Sequence, residues 1–406
     1  MRQWLVVAFV AVVAWAGPSD ARAQQLEPPT NPEDSARYRL GPIRFTPTID
    51  VRNVGVDTNV FNDSSEPKQD FVASFGPAVE MWTRFGRSRL HLRTTLQYDY
   101  FKTYSEERAF GTVNDGRYEV LLDRFTPFLA GSYDNTRRRP GFEIDARARY
   151  QTDAVIGGTD VRLSSRTVLR FQAERSHVNY DEGQQFNGSD LANALNREDT
   201  AFSGAFREAL TPLTTLVVAA ERRDYRFEFA HDRDTNAFRI VPGFEFKPGA
   251  LFSGRAALGY VSFRTLDPDL PDFQGVVSSV ELTYTARATR VQFNVLRDPN
   301  YSYEIEEPYY ILTDVGVQVT ERVTSGWDLV GRLSRQWLNY QELASSGLTS
   351  REDRGWRVGA GTGWWLGTTL RLGVDADYVA RDSPDPTRSY SGWRVGGSFT
   401  YGTQSP

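Results

Sequence analysis

The side chains that most often carry catalysis or bind metals are sparse in this chain. It contains three histidines, His91, His177 and His231, and no cysteine. Without thiols it has no disulfide, no thiolate zinc site and no thiol nucleophile. No two histidines lie close enough in sequence to form a local metal-binding pair, and none has an evident catalytic partner. We therefore expect no metal, no cofactor and no enzymatic activity.

Arginine is the residue type whose abundance points to chemistry. Of 47 basic residues only Lys68, Lys102 and Lys247 are lysines, which leaves 44 arginines. The formal net charge of −5 argues against general binding of nucleic acid. Guanidinium groups pair well with carboxylates and phosphates, so arginines lining a channel would guide anionic solutes. The alternative is that they pair with acidic neighbours and stiffen the wall that carries them.

The elements that would position these arginines are strands, because the sequence alternates with a period of two. In residues 89–100, mostly apolar side chains at even positions alternate with Arg89, His91 and Arg93 at odd positions. Similar alternation recurs in three later stretches, 167–176, 290–295 and 370–378. Charges in mid-strand cannot lie unpaired in a packed interior, whereas they can line a water-filled lumen. The apolar face would then contact lipid, and closure into a barrel would satisfy the backbone hydrogen bonds.

The charged members of these strands are the side chains that would face the lumen. By strand parity the expected lumen-lining residues are Arg89, Arg93, Arg170, Glu174, Arg290, Arg332, Arg371, Asp375 and Asp377. Aromatic residues near the strand ends are expected to form girdles at the two membrane interfaces. Those assigned to the girdles include Trp82, Tyr180, Phe263 and Tyr303.

The N-terminus has the pattern of an export signal. Arg2 precedes an apolar run of 13 residues over 4–16, and Ala21-Arg22-Ala23 has the small-residue pattern of a cleavage site. The run is shorter than the roughly 20 residues that a membrane-spanning helix needs. The sequence therefore predicts a signal peptide at 1–23, cleaved after Ala23.

The connections between strands alternate between short and long, which sets the topology. Eight tight turns and nine longer polar segments divide residues 43–402 into 18 strands. An even count places both termini on the short-turn side, as in outer-membrane barrels with short periplasmic turns and longer extracellular loops. We predict an all-β fold, a closed antiparallel transmembrane β-barrel of 18 strands, with 16 as the alternative count and room for an aqueous channel. Residues 24–42 would be an unpaired periplasmic leader and 403–406 a C-terminal tail.

The longest connection, 181–198, contains a segment that could form a helical turn. Leu191-Ala192-Asn193-Ala194-Leu195 follows Asp190, whose side chain can cap a helix. If this segment folded inward, it would narrow the channel. We expect instead a surface loop with a local turn, because connections usually run over the surface.

The last strand resembles the C-terminal signal that the outer-membrane barrel assembly machinery recognises. That signal combines a polar residue, a glycine and two apolar or aromatic residues at fixed spacing. Its four positions correspond here to Arg394, Gly396, Phe399 and Tyr401. The resemblance implies that the assembly machinery and outer-membrane lipid are partners.

Three stretches of the chain resemble one family of outer-membrane proteins. They are Val56-Asp57-Thr58-Asn59-Val60-Phe61 in the first strand, 136–143 in a long loop and 242–251 in a hairpin. Through them residues 42–402 resemble the second of the families called putative β-barrel porins. The resemblance implies a barrel in the bacterial outer membrane, sometimes encoded beside exopolysaccharide synthesis and export.

These observations lead to one expected function and two alternatives. The expected function is porin-like passage of hydrophilic solutes. The first alternative is export of an exopolysaccharide together with periplasmic polysaccharide-export proteins, and the second is a structural barrel without transport. A porin and an exporter would differ in whether loss of the protein reduces solute uptake or surface polysaccharide.

Overall fold

A computed structural model describes residues 33, 36–343 and 351–402 of the chain. The predicted signal peptide, 1–23 with its cleavage-site residues Ala21 and Ala23, lies outside the described residues, and so does the predicted tail, 403–406. Within the described part of the chain, no helix is long and apolar enough to cross a membrane, a finding that does not bear on strands.

Eighteen long strands form one antiparallel sheet, which closes where the last strand pairs with the first of them. They are β2 (Ile43–Asp57), β3 (Asp70–Phe85), β4 (Ser88–Phe101), β5 (Ala109–Val120), β6 (Phe125–Arg138), β7 (Ala148–Arg162), β8 (Thr167–Tyr180), β11 (Arg197–Thr211), β12 (Thr214–Phe227), β13 (Thr235–Phe246), β14 (Phe252–Thr265), β15 (Phe273–Ala286), β16 (Thr289–Tyr301), β17 (Tyr309–Thr324), β18 (Trp327–Gln341), β19 (Glu352–Leu366), β20 (Leu370–Asp382) and β21 (Tyr390–Tyr401). The smaller elements are β1 (Tyr38–Leu40), β9 (Gln185–Phe186), β10 (Ser189–Asp190), helix α1 (Leu191–Leu195) and the 3₁₀ turns Ser105–Glu107, His231–Arg233 and Pro386–Arg388.

The closed 18-stranded barrel predicted from the sequence is confirmed. Its short turns lie at one end, where β2 begins and β21 ends, and its longer connections lie at the other. The expectation of an unpaired leader is wrong for its last residues. Tyr38–Leu40 form β1, which pairs antiparallel with the start of β2. Gly41, in the left-handed region at φ 58°, makes the tight turn of this hairpin possible.

The two faces of the barrel wall differ because each strand alternates its side chains. On the outer face Phe171, Phe202 and Leu258 remain 53%, 61% and 62% exposed. On the inner face the neighbouring Arg170 and Arg207 pair with acidic side chains. Apolar exposure of this extent around a whole barrel is expected where the surrounding medium is lipid.

The seam that closes the barrel, between β21 and β2, contains a bulge. The pairing shifts around Asn53, whose φ of 56° is left-handed. The bulge brings the two backbones close together, so a Cβ on Gly55 would lie 2.0 Å from the carbonyl oxygen of Val395. A Cβ on Gly396 would lie 3.0 Å from the backbone of Asn53. Closure in this register therefore depends on glycine at position 55.

The long-connection end of the lumen is filled by segments that fold inward. Residues of β9 and helix α1 pack against the inward-facing Tyr150 and Tyr180 and against Tyr303. The capped helical turn is present, since the side chain of Asp190 accepts a hydrogen bond from the backbone N–H of Asn193. The expected surface position is wrong, because the two leucines and two alanines of α1 are all buried inside the barrel.

Some aromatic residues expected in the membrane girdles lie inside the barrel instead. They are Trp82, Tyr180, Phe263 and Tyr303, each 8% exposed or less. Trp82 stacks on the inward-facing His91 with 3.8 Å between ring centroids, and the other three help to fill the long-connection end. Positions 82, 180 and 263 have inward parity on their strands, which explains their placement. Other aromatic residues occupy the outer face, such as Tyr260 at 52% exposure.

The outer part of the β16–β17 hairpin leans into the barrel. On one of its faces, Tyr309 and Ile311 pack against the inner surface of strands β12–β15. On the opposite face, Tyr310 and Leu312 pack against β18 and residue Phe142. We call this arm, together with the inward-folded connections 139–147, 181–196, 302–308 and 383–389, the cap.

Candidate functional site

The short-turn half of the lumen is partly open to water, whereas the other half is filled. The inward-facing Glu80 and Glu281 keep 45% and 60% of their side-chain surface exposed. Under the cap, the inward-facing Tyr150, Tyr340 and Asp353 keep 1% or less. The lumen is therefore a polar vestibule that ends at a packed cap.

Two of the predicted lumen arginines pair with carboxylates directly opposite them on the neighbouring strand. Arg89 lies opposite Glu119, with 2.5 Å between its Nε and a carboxylate oxygen. Arg170 lies opposite Asp160 and makes two hydrogen bonds to it, at 2.6 and 2.7 Å. These pairs tie adjacent strands together and neutralise each other's charge.

Two further arginines reach across an intervening strand, over a row of glycines. The inner face of β19 carries Gly359, Gly361 and Gly363, and a Cβ on any of them would lie within 2.2 Å of a charged side chain. In the space that they leave, Arg332 of β18 pairs with Asp375 and Asp377 of β20. Across the same strand, Arg371 of β20 pairs with Asp328 of β18 at 2.6 Å, so here the arginine is on β20 and the carboxylate on β18. The glycines are therefore what lets these ion pairs span three strands.

The remaining predicted lumen residues differ in whether a side chain of opposite charge pairs with them. Glu174 pairs with an arginine of β12 at 3.1 Å. For Arg93 and Arg290, the described chain contains no hydrogen bond or ion pair to the guanidinium group. Arg93 lies in register with Glu80 on one side and Asp115 on the other, so carboxylates lie near it. Arg290 lies between threonines on both neighbouring strands.

A buried charged network holds the cap together. Arg381, at the outer end of β20, is 5% exposed and donates to the backbone carbonyl of Glu143 at 2.9 Å. Its guanidinium also pairs with Asp145 at 3.3 Å and with Asp353. Arg388, from the last long connection, donates to the same Glu143 carbonyl at 2.7 Å. Two arginines thus fix the 139–147 connection to the final strands.

Glu143 itself is a buried carboxyl, and the described chain places no ion-pair partner on it. It is 2% exposed, and its oxygens accept hydrogen bonds from the Ser302 hydroxyl at 2.6 Å and the Tyr303 N–H at 3.3 Å. Burial raises the pKa of Glu143 to about 7, although the Ser302 hydrogen bond and the charges of Arg388 and Arg381 lower it. The cap therefore contains a group that titrates near neutral pH.

The three histidines contact carboxylates rather than nucleophiles. His91 pairs with Glu80 at 2.9 Å, whereas His177, on the outer face, lies 2.9 Å from Asp153 and 3.6 Å from Glu198. The third histidine lies in a 3₁₀ turn, 3.9 Å from an aspartate. Among the described residues, no hydroxyl group hydrogen-bonds to these imidazoles, and no group of three possible ligands could hold a metal ion.

The four positions of the predicted assembly signal lie on β21 beside the closing seam. Arg394 faces inward and its Nε donates to Asp57 of β2 at 3.0 Å. Gly396 lies against the bulge of β2, and Phe399 and Tyr401 have outward parity. Recognition of this strand by the barrel assembly machinery stays a prediction.

The sequence interpretation missed the partners of the arginines and the cap. Glu119 and Asp160 could have been identified from the sequence as partners, because each stands opposite an arginine once the strands are placed in register. The segment Tyr309-Tyr310-Ile311-Leu312 also carries a usable signal, since an apolar run without alternation indicates a strand buried on both faces. The bonds of the cap arginines to the 139–147 connection carry none, because they join residues more than 200 positions apart.

Comparisons with known proteins agree with this architecture. A family model described as "Putative beta-barrel porin 2" matches residues 32–401. The chain belongs to this family. As a family member it is a porin-like β-barrel of the bacterial outer membrane, so its short turns face the periplasm and its cap faces outward. No curated protein matches the chain.

Several solved structures are similar to this porin-family barrel. A BenF-like porin from Pseudomonas fluorescens Pf-5 is 10% identical with a TM-score of 0.48, and the match covers 90% of this chain and 100% of that one. The outer membrane protein opdK from Pseudomonas aeruginosa is 9% identical with a TM-score of 0.47, covering 88% and 98%. OccAB2 from Acinetobacter baumannii is 10% identical with a TM-score of 0.46, covering 88% and 97%.

Proposed function

We propose that the protein is a channel through which small hydrophilic solutes cross the outer membrane, with the cap as its restriction. The observation that carries the proposal is the charged and partly water-exposed inner face of the periplasmic half of the lumen, inside an apolar outer surface. Such a wall replaces part of the hydration of a polar solute, which lowers the barrier to its passage. Because the cap fills the outer end, we expect a small or intermittent conductance.

The ion pairing of the wall favours weak selectivity for charge. Arg89, Arg170, Arg332 and Arg371 each face a carboxylate, so they do not form a continuous positive ladder. Arg290 is the position where we expect an arginine to act on passing anions, since no ion pair neutralises it in the described chain. We therefore propose that solutes are selected mainly by size.

Conductance of the purified protein in planar bilayers tests this proposal. We expect stepwise currents and, under a salt gradient, a small anion preference that Arg290→Gln reduces. Arg222→Gln is the matched control, because Arg222 has outward parity and is 64% exposed on its side chain. A folded barrel that gives no current would contradict the channel. A strong anion preference that survives Arg290→Gln would contradict selection by size.

Export of an exopolysaccharide with periplasmic partners is the alternative, and it predicts a different phenotype. The filled outer end disfavours it, because a long polymer would require displacement of the whole cap. Deletion of the gene should reduce uptake of small hydrophilic solutes. Loss of surface polysaccharide with unchanged uptake would replace the channel with an exporter, and no change in either would favour a structural barrel.

A further inference from the structure

Strands β15 and β16 separate before they reach the outer end of the barrel. Their pairing continues from the periplasmic turn to Ser278 opposite Arg297 and stops there. Beyond this point residues 273–277 of β15 pair with β14 alone, and the rest of β16 pairs with β17 alone. Backbone groups at a strand edge normally need a partner in a membrane barrel, because lipid supplies no hydrogen bonds.

The strands separate because the β16–β17 arm passes behind β15 rather than beside it. Tyr309 and Ile311 of the arm belong to one buried cluster with Val277 of β15 and with Val261 and Phe263 of β14. Each of these side chains is 4% exposed or less. The barrel wall therefore overlaps itself here. We call the boundary between the free edge of β15 and the arm the β15–β16 seam.

A cation without a carboxylate partner lies at this seam. The Nε of Arg297 donates to the carbonyl of Val276, on the free edge of β15, at 3.2 Å. Its Nη1 donates to the hydroxyl of Thr313 at 2.7 Å. In the part of the chain that the structure describes, no acidic side chain forms an ion pair with it. A guanidinium held only by neutral acceptors keeps the capacity to bind a carboxylate or a phosphate.

A cavity inside the barrel begins at the seam. Val277 and Ser279 of β15 line it together with Leu296 and Arg297 of β16. Deeper in the barrel its wall has an apolar strip formed by Ala205, Val217, Ala219 and Val241. Charged side chains around the strip pair with each other, as Arg207 of β11 does with Glu245 of β13 at 2.5 Å. The seam thus places a cation without an ion-pair partner in a cavity whose wall carries an apolar strip.

We propose that the β15–β16 seam binds a single-chain anionic amphiphile from the outer leaflet of the membrane. The carboxylate or phosphate headgroup binds Arg297, and the acyl chain passes between the free edge of β15 and the arm toward the apolar strip. The ligand of this site enters sideways from the bilayer, whereas the proposed solutes enter through the ends of the barrel.

Photocrosslinking in phosphatidylcholine nanodiscs tests the site. The probe is dodecanoate with a diazirine in its chain, and labelled peptides are mapped by mass spectrometry. We expect labelling of Val277, Leu296 and Ile311 at the seam. Unlabelled dodecanoate and dodecyl phosphate should compete according to which headgroup binds better, whereas the neutral dodecyl maltoside should not. Arg297→Gln should weaken labelling about tenfold, because it removes a charge-assisted contact.

Two controls keep the test decisive. Arg222→Gln removes another outward-facing arginine and should leave labelling unchanged, whereas Val277→Trp should block the seam while keeping Arg297. Heat-modifiable migration in gels identifies the variants that are folded. Labelling spread around the barrel, equal labelling of Arg297→Gln, or equal competition by dodecyl maltoside would each overturn the proposal. Absence of conductance in the same preparation would count against the channel alone.

Discussion

Replacement of Glu143 by glutamine should reduce the pH dependence of cap closure. In the closed cap, burial raises the pKa of this carboxyl to about 7 from an ordinary value of 4.5, to which it would return in an open, hydrated cap. The closed cap therefore binds the proton more tightly, so closure is favoured at low pH and is lost as the pH rises through 7. With these two pKa values, raising the pH from 5 to 8 lowers the ratio of closed to open cap about 70-fold, which corresponds to about 2.5 kcal/mol.

Single-channel recording at pH 5 and pH 8 measures this change as the fraction of time in the open state. The wild type should open more at pH 8, and Glu143→Gln should stay mostly closed, since glutamine resembles the protonated acid. Some pH dependence should remain, because burial also raises the pKa of Glu307 to about 7 although Arg351 pairs with it at 2.7 Å. Glu281→Gln, in the open vestibule, is the control. The same pH response in wild type and Glu143→Gln, or an open fraction that falls with pH, would refute the reasoning.

Two further substitutions test the cap and the closing seam. Arg381→Gln should destabilise the barrel by about 3–5 kcal/mol in urea unfolding, because it removes the ion-pair partner of the buried Asp145 and leaves Asp353 with Arg351 alone. Arg354→Gln, at an arginine whose side chain is 51% exposed, should change stability by less than about 1 kcal/mol. An unchanged midpoint for Arg381→Gln would show that the network is not structural. Gly55→Ala should prevent closure, seen as loss of heat-modifiable migration, since the new Cβ would lie 2.0 Å from a carbonyl oxygen of β21. Gly397→Ala, with no atom nearer than 3.8 Å, should fold, and equal folding of both variants would contradict a tight seam.

The barrel could be predicted from the sequence because its determinants are local. Alternation around Arg93 and Arg371 reports which face meets lipid, and the lengths of the connections report the number of strands and the position of the termini. The partner of Arg170 could also be predicted from the sequence, because strand register alone places Asp160 opposite it.

The cap could not be predicted because its determinants are not local. The segment Leu191–Leu195 is only five residues long, and what buries it is a set of tyrosines from three separate parts of the chain. The inward lean of the arm follows from packing on both faces of Tyr309–Leu312, which strand parity cannot describe. The raised pKa of Glu143 depends on burial that exists only once these segments have met.

The bonds of Arg381 and Arg388 to the 139–147 connection also set an order of assembly. These bonds join residues 238 to 245 positions apart, from β20 and the connection after it to the loop between β6 and β7. Such segments meet only after the sheet has curved through its full circle, so the outer end must be sealed last. A barrel that closed in the wrong register at β2 would leave both arginines without their acceptors in the 139–147 connection. Misassembled molecules would then differ from native ones in leakiness rather than in strand content.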